Sequence, residues 1–263
     1  MTRREILAAA AAAGTTAAAQ PPAVEQAIVA RHDGTVERYL KQQITDPAHR
    51  YRGSFPDAHG LFHAMTAGGL IDTFTSAFLL PQSRFHKRPE LLERILLAAE
   101  CLGRQQNAEG NVDLVITNFN SPPDTGFVVH NVAAAAHNAR RYGVPEIEVA
   151  VAPFLKKAGP ALARGGVHTP NHRWVVCAAL AQIHALFPDS AYVRRIGQWL
   201  AEGIDIDSDG QYSERSTLVY NVVTNRALIV MAAKMNRPEL LEPVRRNLDS
   251  MLYLLHPGYE VVT

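Results

Sequence analysis

Three short stretches of the chain concentrate side chains able to move protons or hold an oxyanion. The densest is His168-Thr169-Pro170-Asn171-His172-Arg173-Trp174. Thr169 suits the residue just before a helix and Pro170 its first position. Asn171 and His172 then fall in a first turn, among backbone N–H groups that have no helical partner. Such an end holds an anion, a carboxylate for instance, and an imidazole beside it is suited to taking up a proton. The second stretch, Asp209-Gly210-Gln211-Tyr212-Ser213-Glu214-Arg215-Ser216, runs on to Tyr220-Asn221. Tyr212, Ser216 and Tyr220 recur at steps of four, so they share one face if a helix already covers them. A phenol ionises near a pH of about 10; it serves as an acid at neutral pH, and as a base only beside a cation such as Arg215 or Arg173. The third stretch is Thr117-Asn118-Phe119-Asn120-Ser121-Pro122-Pro123-Asp124, followed by His130. Its amides bind a carboxylate or sugar hydroxyls without bringing charge. Each stretch also has a plainer use. His172 can bond a loop, a tyrosine hydroxyl can bond backbone, and Asn118 reads best as a turn residue.

Other motifs are weaker. Asp205-Ile206-Asp207-Ser208-Asp209-Gly210 copies the first half of a calcium loop. An EF-hand places a bidentate Glu at its twelfth position, where this chain has Ser216. A polar turn is therefore the favoured reading, with Ca²⁺ on Asp205, Asp207 and Asp209 as the alternative. His59 and His63 stand one helical turn apart but lack a third ligand, so they read as polar residues at a helix start. The chain has no His-Glu-x-x-His, no Gly-rich phosphate loop and no Gly-x-Ser-x-Gly elbow.

The elements that must position these stretches are helices. Apolar spacing and Pro or Gly punctuation predict helices over 23–45, 60–80, 88–107, 124–142, 145–163, 170–187, 190–203, 213–235 and 238–255, with a loop over 107–123. Asp124 is the expected cap of the fourth. Stretches 88–107 and 238–255 are amphipathic, whereas 60–80, 170–187 and 213–235 are apolar nearly all round and should be buried. Alternation of outer amphipathic and inner apolar helices suits an all-α, incomplete (α/α) toroid of helical hairpins better than a four-helix bundle.

The 263 residues are 47% hydrophobic and 19% charged, enough apolar material for a core and too little charge for disorder. A net charge of +1 argues against a nucleic-acid partner. No apolar run is long enough to span a membrane. Thr2-Arg3-Arg4-Glu5, the run Ala8 to Ala13 and Ala17-Ala18-Ala19 read as a twin-arginine export leader over 1–20, with a frayed Ala-rich helix as the alternative. Export places the protein in the periplasm or outside the cell. The catalytic domain is then 21–257, and the strand-like 258–263 reads as the start of a further β-rich segment. Cys101 and Cys177 fit a disulfide or two buried thiols equally well.

Taken in order, the three polar stretches resemble the helical domain of the heparinase II/III and alginate-lyase superfamily of polysaccharide lyases, over roughly residues 50–260. The resemblance implies β-elimination on a uronic-acid polysaccharide. It implies Asn171 and Asn120, with Arg173 or Arg215, as partners of the sugar carboxylate. It implies His172 as the base and Tyr220 as the acid, or Tyr220 in both roles. Asn120, Asp124, His168, Arg173, Trp174 and Tyr212 are the implied substrate contacts, with Trp174 and Tyr212 as stacking platforms. The Ser216-Thr217 step lacks the proline that some members place after the serine, which leaves Tyr220 or Tyr212 open as the acid. Two rivals remain. One is a glycoside hydrolase on the same toroid, pairing Asp124 with Asp209 or Glu214. The other is a non-catalytic saccharide-binding protein.

Overall fold

The computed structural model describes residues 22–166, 169–258 and 260. Residues 1–20, where an export leader is expected, His168 and most of 258–263 lie outside the described residues. Nine α-helices are described: α1 (Pro22–Gln42), α2 (Ala64–Leu79), α3 (Pro89–Gln105), α4 (Pro122–Arg141), α5 (Pro145–Arg164), α6 (Pro170–Leu186), α7 (Ser190–Ala201), α8 (Tyr220–Met235) and α9 (Leu241–Met251). Short 3₁₀ turns, Pro238–Leu240 and Leu252–Leu254, flank α9. Local signals set most boundaries. α3, α4, α5 and α6 each open on proline, and α8 closes on Asn236 in the left-handed region, φ 53°.

The helices pair as hairpins: α2 with α3, α4 with α5, α6 with α7, and α8 with α9, while α1 packs on α2. The partners α2, α4, α6 and α8 also pack on one another in that order, forming an inner row; α3, α5 and α7 back them in an outer row. This is an all-α, incomplete α/α toroid. The core is the space between the rows, filled by Leu70, Ile71, Phe74, Val129, Val132, Trp174, Leu180, Leu228 and Met231, all almost fully buried. Links of three residues turn α4 into α5 and α6 into α7. Outer helices therefore run back antiparallel, and the four inner helices point the same way. The long links 106–121 and 202–219 both lie at the N-terminal end of the inner row.

Between α4 and α6 a polar strut crosses the apolar packing. The Gln182 amide donates to His130 Nδ1 at 3.1 Å, and His137 Nε2 donates to the Gln182 carbonyl at 3.1 Å. Burial above all pushes both imidazoles down to about 4, helped by Arg226 near His130 and Lys234 near His137.

Several expectations need correction. The stretch 107–123 is not all loop: strands β1 (Val112–Leu114) and β2 (Asn118–Ser121) pair antiparallel. The cap of α4 is Ser121, whose side chain accepts from the Asp124 N–H; Asp124 itself lies inside the helix. The helix expected over 213–235 begins only at Tyr220, so Tyr212, Ser216 and Tyr220 do not share a helical face. Nor is α8 buried all round, since Val222 and Ile229 are exposed. Cys101 and Cys177 are free, buried thiols, and burial pushes Cys177 up to about 12. No described helix is long and apolar enough to cross a membrane.

Candidate functional site

The N-terminal ends of the four parallel inner helices form a mouth, where unpaired N–H groups concentrate partial positive charge. At α2, His63 stands just before the helix and donates from Nε2 to Asp57 at 3.0 Å. Asp57 also accepts the N–H groups of Leu61 and His59. The Leu61 N–H first, then His63, hold its carboxyl below the usual range. His63 is thus tied to a carboxylate and not paired with His59.

At α4, the Ser121 hydroxyl bonds the Asp124 carboxylate. Asp124, His63, Thr66, Asp113 and Val128 line a cavity of about 350 Å³ between the α2 and α4 starts and the β-hairpin. Asn120 adopts φ 49°, and its backbone N–H donates to Asp113 at 2.7 Å. The Asn120 side-chain oxygen accepts the Asn107 and Asn111 amides, both at 2.9 Å. Pinning that oxygen leaves the Asn120 NH₂ group as the end that can meet a ligand. Along α4, Asp124, Phe127, Asn131, Ala134 and Asn138 recur every three or four residues and are not buried. The flanks of α4 pack on α2 and α6 and its back on α5, so this stripe is the concave face.

At α6, the half-exposed His172 ring meets Phe127 edge-on, centroids 5.9 Å apart at 87°. Asn171, Arg173 and Trp174 are turned to structural work, which corrects three expectations. The Asn171 backbone N–H and side-chain amide both donate to Glu214, at 2.9 and 2.5 Å. The anion at this helix start is therefore the chain's own Glu214. Arg173 is 5% exposed and donates to Glu202 at 3.0 Å and Asp205 at 2.5 Å. Those bonds clamp the 202–219 link to α6, so this guanidinium is not free for a substrate. Trp174 is 1% exposed, in the core beneath Arg173, and cannot stack on a sugar.

The fourth correction is Tyr212, 2% exposed, which donates its hydroxyl to Asn225 at 2.7 Å. Asn225 in turn donates to Asn247, and Asn247 to the Gly210 carbonyl. Burial pushes the Tyr212 phenol upward. Of the two tyrosines, Tyr220 is the accessible one, 42% exposed as the first residue of α8. Beside it Asn221 is fully buried, and neither of its side-chain polar atoms has a partner among the described residues. An unmet amide of this kind is costly and marks the α8 start as a polar site.

Arg215 does not join this group. It has φ 47°, pairs with Asp207 at 3.1 Å and lines a cavity of about 670 Å³ with Asp209, Arg246, Asp249 and Tyr253. The three candidate calcium ligands separate. Asp205 pairs with Arg173, and Asp207 accepts the Asp209 and Gln211 N–H groups as well as Arg215. Among the described residues no three His, Cys, Asp or Glu side chains are grouped to hold a metal.

Sequence reasoning missed Phe127, the bonding of Glu214 to Asn171, the burial of Asn221 and the Asp57–His63 pair. It also missed Asp72 on α2, a half-buried carboxyl raised by burial against the opposing pull of Arg226 and His32. Only Phe127 had a usable signal, its position three residues after Asp124.

No family model and no curated protein sequence matches the chain. Among solved structures, it is similar to a sugar epimerase from a ruminal bacterium, with TM-score 0.54 at 9% identity over 89% of this chain and 73% of that one. It is also matched to a polysaccharide lyase, with TM-score 0.42 at 11% identity, covering 89% of this chain and 47% of the lyase. A metagenome-derived glycoside hydrolase family 9 endoglucanase gives 0.44 at 14% identity, covering 84% of this chain and 64% of that one. The chain thus spans about half the length of the lyase. At these identities the likeness speaks to the fold, which a sugar-converting enzyme shares.

Proposed function

We propose that the chain is a carbohydrate-active enzyme that cleaves a uronic-acid-containing polysaccharide by β-elimination. The observation supporting this most is that His172 and Tyr220 begin adjacent, parallel inner helices at one mouth, both reachable from solvent. In this reading the His172 imidazole takes the C5 proton. The electron pair forms the C4=C5 double bond, the C4–O4 bond breaks, and Tyr220 gives its phenolic proton to O4. The Asn120 amide faces the C6 carboxylate, where charge builds as the proton leaves. Asn171 and Arg173 act from behind, fixing Glu214 and the 202–219 link. The Arg3-Arg4 leader supports work outside the cytoplasm.

Purified protein incubated with glucuronan, alginate and heparin-like chains tests the reading. A rise in absorbance at the ultraviolet edge reports the new double bond. Release of reducing ends without that rise assigns a hydrolase instead, and neither signal leaves a binding protein. His172→Ala and Tyr220→Phe are each expected to lower turnover at least ~100-fold, with an unchanged thermal melt. Activity retained in both variants removes the assignment.

A further inference from the structure

A second cavity, of about 490 Å³, opens beside the mouth, between the C-terminal end of α3, the turn at 50–54 and the β-hairpin. Its size falls in the range of about 300–1,000 Å³ usual for small-ligand sites. The walls carry Arg50, Arg104, Tyr51, Phe62, Asn107 and Asp113. Asp113 also lines the cavity at Asp124, and Asn107 donates to Asn120 at 2.9 Å. The two spaces therefore share a wall, and a chain lying at Asn120 reaches the second cavity by following the hairpin.

The walls of this cavity are held in place by their own packing. Tyr51 stacks on Phe62 with centroids 4.1 Å apart and planes 6° from parallel. The Arg50 guanidinium lies over the Tyr51 ring at 5.3 Å, and the Tyr51 N–H donates to His49 Nδ1 at 3.0 Å. Arg104 ties α3 to the turn through the Arg52 carbonyl at 2.6 Å. Gly53, at φ 99°, lets the turn lie directly on α3, because a Cβ there would sit 2.0 Å from the Leu97 carbonyl oxygen. Charge is unbalanced: two guanidiniums face one carboxylate, and Asp113 already accepts the Asn120 N–H. No carboxylate pairs with the exposed Arg50 among the described residues. Preset guanidiniums of this kind select carboxylates.

We propose that this cavity is a distal subsite for an acidic sugar unit, occupied by the same saccharide chain whose neighbouring unit lies at Asn120 and Asp124. The proposal rests on the reading of the mouth as a uronate-processing site. Calorimetric titration with β-1,4-linked glucuronic acid disaccharide and hexasaccharide, and with neutral cellohexaose, tests it. Arg50→Glu is expected to weaken the acidic hexasaccharide about tenfold and to leave the disaccharide within about twofold. Arg50→Gln, which keeps the chain length without the charge, should fall between and guards against a folding effect. Equal loss for both lengths, no loss, or equal loss for cellohexaose overturns the distal acidic subsite while the mouth reading stands. A wild-type protein that binds no uronate of either length overturns both.

Discussion

Arg173 illustrates why adjacency in sequence is a poor guide to which charge meets a ligand. It follows His172 directly, yet its guanidinium turns inward to Glu202 and Asp205 while His172 stays half-exposed. Arg173→Ala is expected to cost about 2 kcal/mol, below the roughly 3–5 kcal/mol of a fully buried broken pair, because both acids keep contact with water. Urea unfolding measures this, and Arg173→Lys should recover part of it. Tyr212 and Tyr220 make the same point. Both are phenols in a polar stretch, and only the Asn225–Asn247–Gly210 relay, which seals Tyr212, separates them.

At the scale of elements, the α4–α6 contact carries a pH dependence. Burial moves His130 and His137 from 6.5 when unfolded down to about 4 when folded. The unfolded chain binds more protons in that window, so stability is complete above pH 6.5 and declines as pH falls towards 4. For His130 alone the loss reaches roughly 3 kcal/mol. Denaturant titrations at pH 7 and 5 should show the decline, and a His130→Gln/His137→Gln double variant should flatten it. Helix positions themselves were legible, since prolines, caps and apolar spacing act within a few residues. The late start of α8 was not, because Glu214 draws the preceding segment onto α6, Tyr212 onto Asn225 of α8, and Gly210 onto Asn247 of α9.

For the molecule as a whole, the open arc leaves an asymmetry along its inner row. α4 and α6 each have an inner neighbour on both sides, whereas α8 packs on α6 and α9 and leaves Val222 and Ile229 exposed. Val222→Asp should therefore change stability by no more than ~0.5 kcal/mol. Val176→Asp, at a fully buried position of α6, should prevent folding by leaving an unpaired charge in the core. Thermal melts of the two variants make the comparison, and equal destabilisation would contradict this layering.

Periodicity and punctuation along the chain were enough to specify an all-α arrangement of inner and outer helices, because burial of an apolar stripe is a local property of spacing. They also placed Asn120 and His172 near helix starts, whereas Tyr220, expected inside a helix over 213–235, proved to begin one. What only the folded state decided is which polar side chains remain open to a ligand. That choice depends on partners far apart in the chain, such as Glu214 with Asn171 and Arg173 with Asp205. A hydrogen bond across such a separation forms only once packing has brought the two ends together, so no local pattern records it.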